Sequence, residues 1–339
     1  MRKIGFLGAM NRDVVVEQPT ADLLPLLGAE ATPLVETPVS DAVAQRGSAL
    51  LEGRGAATWL GGSAFNVARV VALLNRDRAF DLAFFGIAGS VAGTQPHLAT
   101  LVEWAVDTGS VAVSPLPPAT CLAMVEPSGR TLLTALGANA GIAAWLTANR
   151  DQLAKAIAGR DLVHVTSFLD PEAPGLIAGI LATARSFNPS LMVSLDPGMA
   201  WIAPGGQGLS PLLRQTNILH LNAEEFALLG GSESVPGLLD RLTPGAKIVA
   251  RTHAGATVFS ASGAESLPER APAQDFLAVD PNGAGDTFCG GFLSAYAENP
   301  DEPLRAAGLG FALARKKVGI KGPLTASEAD IVMSRLENW

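Results

Sequence analysis

The sequence has few of the residues that build metal, redox or nucleic-acid sites. Its 2 cysteines, Cys121 and Cys289, lie far apart, which excludes a disulfide framework and any CxxC metal or redox motif. Its 4 histidines show no HxxxH or HExxH spacing, so zinc chemistry is not indicated. Basic runs are missing, and the formal net charge is -8. These features argue against nucleic acid and anionic membrane surfaces as partners.

Long hydrophobic runs are missing as well. The apolar N-terminal stretch is short and Gly-rich, and no later run reaches the ~18 apolar residues that a membrane span needs. We therefore expect a soluble, cytoplasmic protein, which also fits the scarcity of cysteine. Hydrophobic residues make up 48% of the chain and charged residues 17%. This composition allows a large buried core.

Short β-branched runs alternate with segments of helical periodicity. We expect strands at 3–8, 82–88, 161–168, 191–196, 217–222 and 246–251. Helical periodicity marks 94–108, 172–185, 209–215 and 223–229. Near-continuous apolar strands separated by helices predict an α/β fold, with a mostly parallel sheet and helices on both faces.

Two stretches interrupt this alternation. Residues 17–60 are rich in Pro, Gly and Ala and lack helical periodicity, while 110–136 have the pattern of a β-hairpin with Ser128 and Gly129 at its turn. We interpret both as excursions from the main sheet that form a small lid. Two unrelated surface loops are the alternative. Long insertions of this kind are often functional.

The segment 279–292 predicts an anion site. A proline-containing approach runs into the turn Gly283-Ala284-Gly285, and a helical pattern follows. Small residues let the backbone approach a ligand, and the first amides of a helix are unpaired at the positive end of its dipole, which suits phosphate. Asp286 lies in the first helical turn. It is either a helix cap or a general base for an attacking hydroxyl, and the local sequence leaves both readings open.

Two common phosphate-binding motifs are not found. Walker A requires Gly-Lys-Ser/Thr, which does not occur in the chain. The dinucleotide fingerprint fails because Phe288 occupies the place of its third glycine, near the C-terminus instead of after the first strand. Neither a P-loop NTPase nor a Rossmann dehydrogenase is supported.

Two further clusters are candidates for binding a polyol. Gly61 and Gly62 precede a helical pattern in which Asn66 could hydrogen-bond a hydroxyl. Asn11 and Asp13 follow the first predicted strand, where the carboxyl ends of parallel strands border a ligand crevice. Ordinary turn chemistry is the alternative in both places, since these residue types also favour turns.

Together these segments resemble the PfkB/ribokinase family of sugar and nucleoside kinases. GGSAFNVARVVALLN at 61–75 is similar to the first family signature and DPNGAGDTFCGGF at 280–292 to the second, in the family order. The pattern Gly8-x-x-Asn11-x-Asp13 is similar to the N-terminal substrate segment. Asn222-Ala223-Glu224-Glu225 is similar to the N-x-x-E element. The resemblance covers nearly the whole chain.

The resemblance implies a role for each of these residues. Asp286 would be the base that deprotonates the acceptor hydroxyl. The anion hole for the γ-phosphate would consist of Gly283, Ala284 and Gly285. Substrate hydroxyls would be held by Asn11, Asp13, Gly61, Gly62 and Asn66. Asn222 and Glu225 would organise Mg²⁺ through water, without a direct protein ligand to the metal.

The same resemblance implies ATP and Mg²⁺ as cofactors, with a monovalent cation as a further candidate. It also implies one ribokinase-like domain over 1–339 with a small β lid, which suits 17–60 and 110–136, and it is compatible with a homodimer. In the turn that approaches the nucleotide, the family often has G-x-x-G. Here Thr252 replaces the first glycine and Gly255 is kept.

The expected acceptor is the hydroxyl of an unphosphorylated sugar. A phosphorylated substrate would need additional basic residues, for which Arg12 is the candidate. A nucleoside is the alternative acceptor, because Phe168 follows a strand and could stack on a base, although it could equally be a core residue. A catalytically silent sugar- or nucleoside-binding regulator is a third hypothesis, and the intact GAGD sequence argues against it.

Overall fold

A computed structural model of the protein describes residues 1–32, 36–126, 129–203, 208–268 and 279–336. The strands are β1 (Arg2–Leu7), β2 (Asn11–Val16), β3 (Glu36–Pro38), β4 (Ala57–Gly61), β5 (Phe80–Ala88), β6 (Val106–Val113), β7 (Ala119–Glu126), β8 (Gly129–Ala135), β9 (Leu162–Thr166), β10 (Met192–Asp196), β11 (Ile218–Asn222), β12 (Lys247–Arg251), β13 (Ala256–Ser260) and β14 (Gly263–Ser266).

The α-helices lie mostly between these strands. They are α1 (Thr20–Leu27), α2 (Asp41–Glu52), α3 (Ser63–Leu74), α4 (Pro96–Glu103), α5 (Ile142–Ala148), α6 (Arg150–Ala158), α7 (Ala173–Phe187), α8 (Gly198–Ile202), α9 (Leu209–Leu213), α10 (Ala223–Leu228), α11 (Val235–Leu239), α12 (Ala284–Glu298), α13 (Pro303–Val318) and α14 (Ala326–Leu336), with a short 3-10 helix at Gly137–Gly141. None of the helices in the described ranges is both long and apolar enough to cross a bilayer.

The large sheet confirms the predicted α/β fold with a mostly parallel sheet. Its order over the described residues is β14-β13-β12-β11-β10-β9-β1-β5-β6. All pairings from β12 to β6 are parallel, and β13 and β14 add an antiparallel edge. The predicted strands correspond to β1, β5, β9, β10, β11 and β12. The carboxyl ends of the parallel strands therefore meet along one edge, where the candidate site lies.

Helices cover both faces of this sheet, because each strand sends alternate side chains to opposite sides. One apolar cluster joins Val163 and Val165 of β9 to residues of α5, α6, α7 and α9. The other joins Ile4 and Phe6 of β1 to residues of α3, α4, α12 and α13. The second cluster anchors α3 and α12, the two helices that begin at the predicted glycine clusters.

A smaller sheet of order β3-β8-β7-β2-β4 lies beside the large one. The segments 17–60 and 110–136 contribute β3, β4, β7 and β8, and β7 pairs with β8 as the predicted hairpin. Ser128 of the predicted turn is outside the described residues. The interpretation of this layer as a lid remains a prediction.

Three predictions of local structure are wrong. Segment 17–60 contains α1 and α2, whose leucines pack with Val14 and Leu122 of the small sheet. These two helices were not predicted because α1 is short and contains Pro25, and because α2 contains a glycine. The helix predicted over 94–108 ends at Glu103, where Ala105 adopts a positive φ before β6 begins. Residues 110–113, predicted as part of the hairpin excursion, belong to β6 of the large sheet.

Candidate active site

The Gly-Ala-Gly turn opens α12 as predicted, with its amides at the mouth of the helix. Gly283 takes a φ of 72, a left-handed conformation that suits glycine. The Ala284 amide donates to the carbonyl of Pro281 at 3.2 Å and so closes the turn. Among the described residues, the amides of Gly283, Gly285 and Asp286 have no acceptor. The amides open to an anion are therefore these three, and Ala284 shapes the turn instead.

Asp286 extends from the first turn of α12 toward α3. Its Oδ2 accepts a hydrogen bond from Asn66 Nδ2 at 2.9 Å, so the carboxylate is held by a neighbouring helix instead of capping its own. Burial raises the pKa of Asp286 to about 6, although the bond from Asn66 favours the charged form. At neutral pH the carboxylate is ionised and basic enough to accept a proton.

Asn66 is held in turn by Arg69, one helical turn further along α3. Arg69 Nη1 donates to Asn66 Oδ1 at 3.0 Å, and Nη2 donates to the Leu60 carbonyl at 2.6 Å. The guanidinium also lies 5.4 Å from the ring centroids of Phe65 and Trp104. This arrangement fixes the amide of Asn66 so that its nitrogen faces Asp286. Arg69 was not predicted as a site residue. Its i, i+3 spacing from Asn66, which puts both on one helix face, could have indicated it.

Asp13 is the second carboxylate of the site. It lies in β2 beside Gly61, where a β-carbon would overlap its Oδ2. Burial and then the charge of Asp286 raise the pKa of Asp13 to about 7. Asp13, Asn66 and Gly283 line one cavity. Asp13 follows the first strand as predicted, because β1 ends at Leu7, and it lies within β2 of the small sheet.

Asn11 and Gly62 lie close to Asp13 in the chain fold, at the start of β2 and directly after the end of β4. Asn11 is also in β2, opposite Gly61, and its Oδ1 accepts from Asn139 Nδ2 at 3.2 Å. The Asn11 carbonyl accepts from His97 Nε2 at 2.9 Å, and burial keeps His97 neutral by lowering its pKa to about 4. Gly62 has a φ of 103, and a β-carbon there would overlap the Ala9 carbonyl oxygen. The glycine at 62 is required by the backbone path itself.

The predicted Mg²⁺ element takes the form of a helix cap. Asn222 and Glu225 form a capping box at the start of α10, with Glu225 N donating to Asn222 Oδ1 at 2.9 Å and Asn222 N donating to Glu225 Oε2 at 2.8 Å. Burial and then the charge of Asp196 raise the pKa of Glu225 to about 7. No cluster of three potential metal ligands occurs in the parts of the chain that the structure describes.

Arg251 and Asp196 lie beside the anion turn, and neither was predicted as a site residue. Arg251 Nη2 lies 3.0 Å from Asp196 Oδ2, and its Nη1 donates to the Gly285 carbonyl at 3.1 Å. Burial opposes the Arg251 charge, but Asp196, Cys289 and Glu225 together outweigh it and hold the pKa of Arg251 above the usual range. Each residue ends an apolar strand at the carboxyl edge, and this position was the missed signal.

The turn after β12 is closed by the hydroxyl of Thr252. Its Oγ1 accepts from the amides of Ala254 and Gly255, at 3.2 and 3.1 Å. The Thr252 amide donates to the Gly255 carbonyl at 2.9 Å. A β-carbon at Gly255 would make only ordinary contact with Leu267. The threonine thus replaces the missing glycine by building the turn with its side chain.

Phe168 and Arg12 are not brought to the site. Phe168 is 2% exposed and belongs to the large apolar cluster. Its ring is used in core packing and offers no open face to a base, which corrects the prediction of a stacking residue. Arg12 forms an ion pair with Glu52 of α2 instead of facing the cavity. Arg130 of β8 does reach the anion segment, where its Nη1 donates to Asn282 Oδ1 at 2.7 Å.

Comparisons with known proteins show the family and the fold of the chain. The family model described as pfkB family carbohydrate kinase matches residues 35–329. A curated nucleoside kinase of Methanocaldococcus jannaschii is 30% identical over 184 residues, which is 53% of this chain and 53% of that protein. The match therefore spans about half the length of that relative.

Solved structures share the fold over the full chain. The adenosine kinase from Sinorhizobium meliloti has a TM-score of 0.77 at 19% identity and covers 99% of both chains. A probable sugar kinase from Rhizobium etli CFN 42 has the same TM-score and identity, with 99% of this chain and 98% of that chain covered. The family model over most of the chain, with the fold of these kinases, shows that the protein belongs to the pfkB family of carbohydrate kinases.

Proposed function

We propose that the protein transfers the γ-phosphate of ATP to a hydroxyl group of an unphosphorylated sugar. The observation that carries this proposal is the position of the Asp286 carboxylate, which is held by Asn66 beside the unpaired amides of Gly283 and Gly285. Phosphoryl transfer depends on positioning and charge stabilisation. A base next to amides that bind an anion is therefore sufficient for the reaction.

In the proposed reaction, Asp286 accepts the proton of the acceptor hydroxyl as its oxygen attacks the γ-phosphorus. The new O–P bond replaces the bond to the β-phosphate oxygen, and ADP leaves. The amides of the anion turn stabilise the charge on the phosphoryl oxygens. Asp13 and Asn11 orient the other hydroxyls of the acceptor, with Asp13 able to accept or donate because its pKa is about 7.

Mg²⁺ would lie near Glu225 and Asp196. The Asp196 charge acts on Glu225, and carboxylate oxygens are the ligands that Mg²⁺ takes in proteins, usually with several waters retained. Glu225 uses Oε2 in the helix cap, which favours the water-mediated contact over direct ligation. The ion would neutralise phosphate charge when bound.

The contacts of three arginines in this part of the molecule favour an acceptor without a phosphate group. Arg12 is paired with Glu52, Arg69 with Asn66, and Arg130 with Asn282. Each of these guanidinium groups already has a hydrogen-bond or ion-pair partner in the described chain. A phosphorylated sugar would have to displace one of them.

A nucleoside is the second candidate acceptor. It is favoured by the curated nucleoside kinase that is 30% identical over about half its length, and by the adenosine kinase with the same fold. The burial of Phe168 removes the one aromatic that the sequence offered for stacking on a base. The ribose hydroxyls of a nucleoside could use the same Asn11 and Asp13 contacts.

ATP consumption with a panel of free sugars and nucleosides, in the presence of Mg²⁺, tests the proposal. We expect one unphosphorylated sugar to give the highest kcat/KM. A nucleoside as the best acceptor would favour the second candidate. Binding of an acceptor without turnover of ATP would contradict phosphotransfer and indicate a sugar- or nucleoside-binding regulator.

A further inference from the structure

A buried ion pair lies directly behind the anion turn, and the proposed reaction leaves it without a role. Lys317, near the end of α13, is 2% exposed, and Asp280 is 6% exposed. Lys317 Nζ donates to the Asp280 carbonyl at 2.8 Å and lies 3.1 Å from its Oδ2. The ammonium of Lys317 therefore contacts both the backbone carbonyl and the side-chain carboxylate of Asp280.

Asp280 in turn holds the segment that leads into the anion turn through further hydrogen bonds. Its Oδ1 accepts from the Asn282 amide at 2.9 Å, and its Oδ2 also accepts from the Gly322 amide at 3.0 Å. The amides of Val279 and Asp280 donate to the Val318 carbonyl at 2.8 and 3.1 Å. Residues 279–282, which precede the anion turn, are therefore hydrogen-bonded to the C-terminal end of α13 and to the loop after it.

The fastened segment determines where the anion turn lies. Asn282 immediately precedes Gly283, and the Ala284 amide closes the turn onto the Pro281 carbonyl. Lys317, Asp280 and Gly283 line the same cavity as Asp13. A displacement of Asp280 would therefore move the amides relative to the acceptor. Misplacement of about 1 Å can lower a reaction rate by about 10²-fold.

Stability alone does not account for a buried charge pair in this position. Taking a carboxylate and an ammonium out of water is expensive, and well-packed apolar residues often serve stability as well or better. Burial lowers the pKa of Lys317, against the charge of Asp280, which favours the ammonium form. What the pair does supply next to the anion site is a fixed geometry, because the ammonium of Lys317 donates to two oxygens of Asp280.

We propose that Lys317 is a positioning residue whose ammonium acts as a tethered monovalent cation, holding Asp280 and thereby the anion turn. This inference rests on the proposed phosphotransfer. The Asp280 oxygens that could bind a free monovalent cation are already held by the ammonium. A free cation therefore cannot bind to these oxygens of Asp280. We expect the kcat of the wild-type protein to be unchanged when tetramethylammonium replaces K⁺ or Na⁺.

The test compares K317M, which keeps the side-chain length without the charge, with the wild-type protein at a temperature where both are folded. We expect kcat to fall at least 30-fold while the KM for the acceptor changes less than threefold. ADP with aluminium fluoride, which mimics the transferring phosphoryl group, should bind at least 30-fold more weakly to K317M, whereas ADP alone should bind equally. This binding readout does not depend on the acceptor.

Chemical rescue separates the ammonium from general packing. K317A lacks the equivalent of a propylammonium ion, so added propylammonium should restore kcat at least tenfold, and tetramethylammonium, which has no N–H donor, should not. If neither single variant folds, D280N/K317M leaves no unpaired buried charge and should show the same selective loss of ADP-aluminium fluoride affinity.

A folded K317M with kcat and ADP-aluminium fluoride affinity within threefold of wild type would overturn the positioning role. So would a K317A that propylammonium does not rescue, or a D280N/K317M with wild-type affinity. A wild-type protein that neither binds ADP nor turns over any acceptor would instead refute the phosphotransfer itself, so the two failures are distinguishable.

Discussion

Asp13 and Asp286 are two neighbouring carboxylates of the candidate site, and their different surroundings give them different protonation. The pKa of Asp286 is about 6 and that of Asp13 about 7, raised by burial in both and by the charge of Asp286 at Asp13. Near neutral pH Asp286 is ionised while Asp13 is near its midpoint. In the proposed reaction, this difference separates Asp286, the proton acceptor, from Asp13, which can also donate a hydrogen bond to a hydroxyl.

The pKa of Asp286 predicts the acid limb of the reaction. Because a general base works only when ionised, kcat/KM should fall about tenfold per pH unit as the pH drops below about 6. Steady-state kinetics from pH 4.5 to 8 measure this limb. D13N should weaken acceptor binding but keep the limb, whereas a flat profile in the wild-type protein would contradict the role of Asp286.

The raised pKa of Asp13 also makes stability depend on pH. Between about pH 4 and 7 the folded protein holds a proton at Asp13 that the unfolded chain has released, so this contribution to stability falls as the pH rises through 7. We expect D13N to raise Tm relative to wild type, and more at pH 8 than at pH 5. Differential scanning calorimetry checks this, and parallel Tm curves for the two proteins would contradict the pKa assignment.

At the scale of elements, the start of α3 depends on the backbone of one residue. Gly62 combines a positive φ with contact to the Ala9 carbonyl, so G62A should lower the free energy of unfolding by about 1–3 kcal/mol and weaken acceptor binding. G175A is the matched control, because Gly175 in α7 is exposed and a β-carbon there meets nothing within 4 Å. Urea unfolding should show G175A to be neutral or slightly stabilised. Equal effects of the two substitutions would contradict the account.

The sequence predicted the elements that apolar patterning controls. Each predicted strand of the large sheet exists because a continuous apolar run must be covered on both faces, and the glycine turn opens α12 where the helical pattern starts. The helices α1 and α2 were missed because their stability comes from packing on the small sheet, which local periodicity does not report. Phe168 was misassigned because an aromatic after a strand has the same pattern whether it faces a ligand or the core.

The residues that surround the anion turn were the least predictable part of the candidate site. Lys317 and Asp280 are far apart in the chain, and only the packing of α13 beside α12 brings them together. Arg251 meets Asp196 because β10, β11 and β12 end at the same edge of the sheet. These contacts join residues that are distant in the sequence. A signature motif therefore does not contain both partners, even where it contains one of them, such as Asp280.

At the scale of the whole molecule, the hydrogen bond between Arg130 and Asn282 joins the small sheet to the anion turn. The first lies in β8 of the small sheet, and the second precedes the anion turn that follows the large sheet. Arg130 also lowers the pKa of Asp286, against its burial. The contact therefore links the position of the small sheet to both the anion turn and Asp286, the proposed base.

R130Q should loosen this link with little effect on stability, because an exposed polar contact contributes about 0–1 kcal/mol. We expect the KM for the acceptor to rise about tenfold and the acid limb to move to higher pH, since a positive charge near Asp286 is lost. R54Q is the control, because exposed Arg54 belongs to the same layer and reaches Gln18 instead. An R130Q profile that superimposes on wild type in both KM and pH would contradict the link.

The most direct test of the account is the turnover of D286N together with its affinity for ATP. The carboxamide keeps the size of the side chain but cannot take a proton, so kcat should fall by about 10²- to 10⁴-fold while the Kd for ATP changes less than threefold. D22N makes the same exchange in the first turn of α1, away from the site, and should leave both values unchanged. A D286N protein with kcat within threefold of wild type would contradict the assignment of Asp286 as the base.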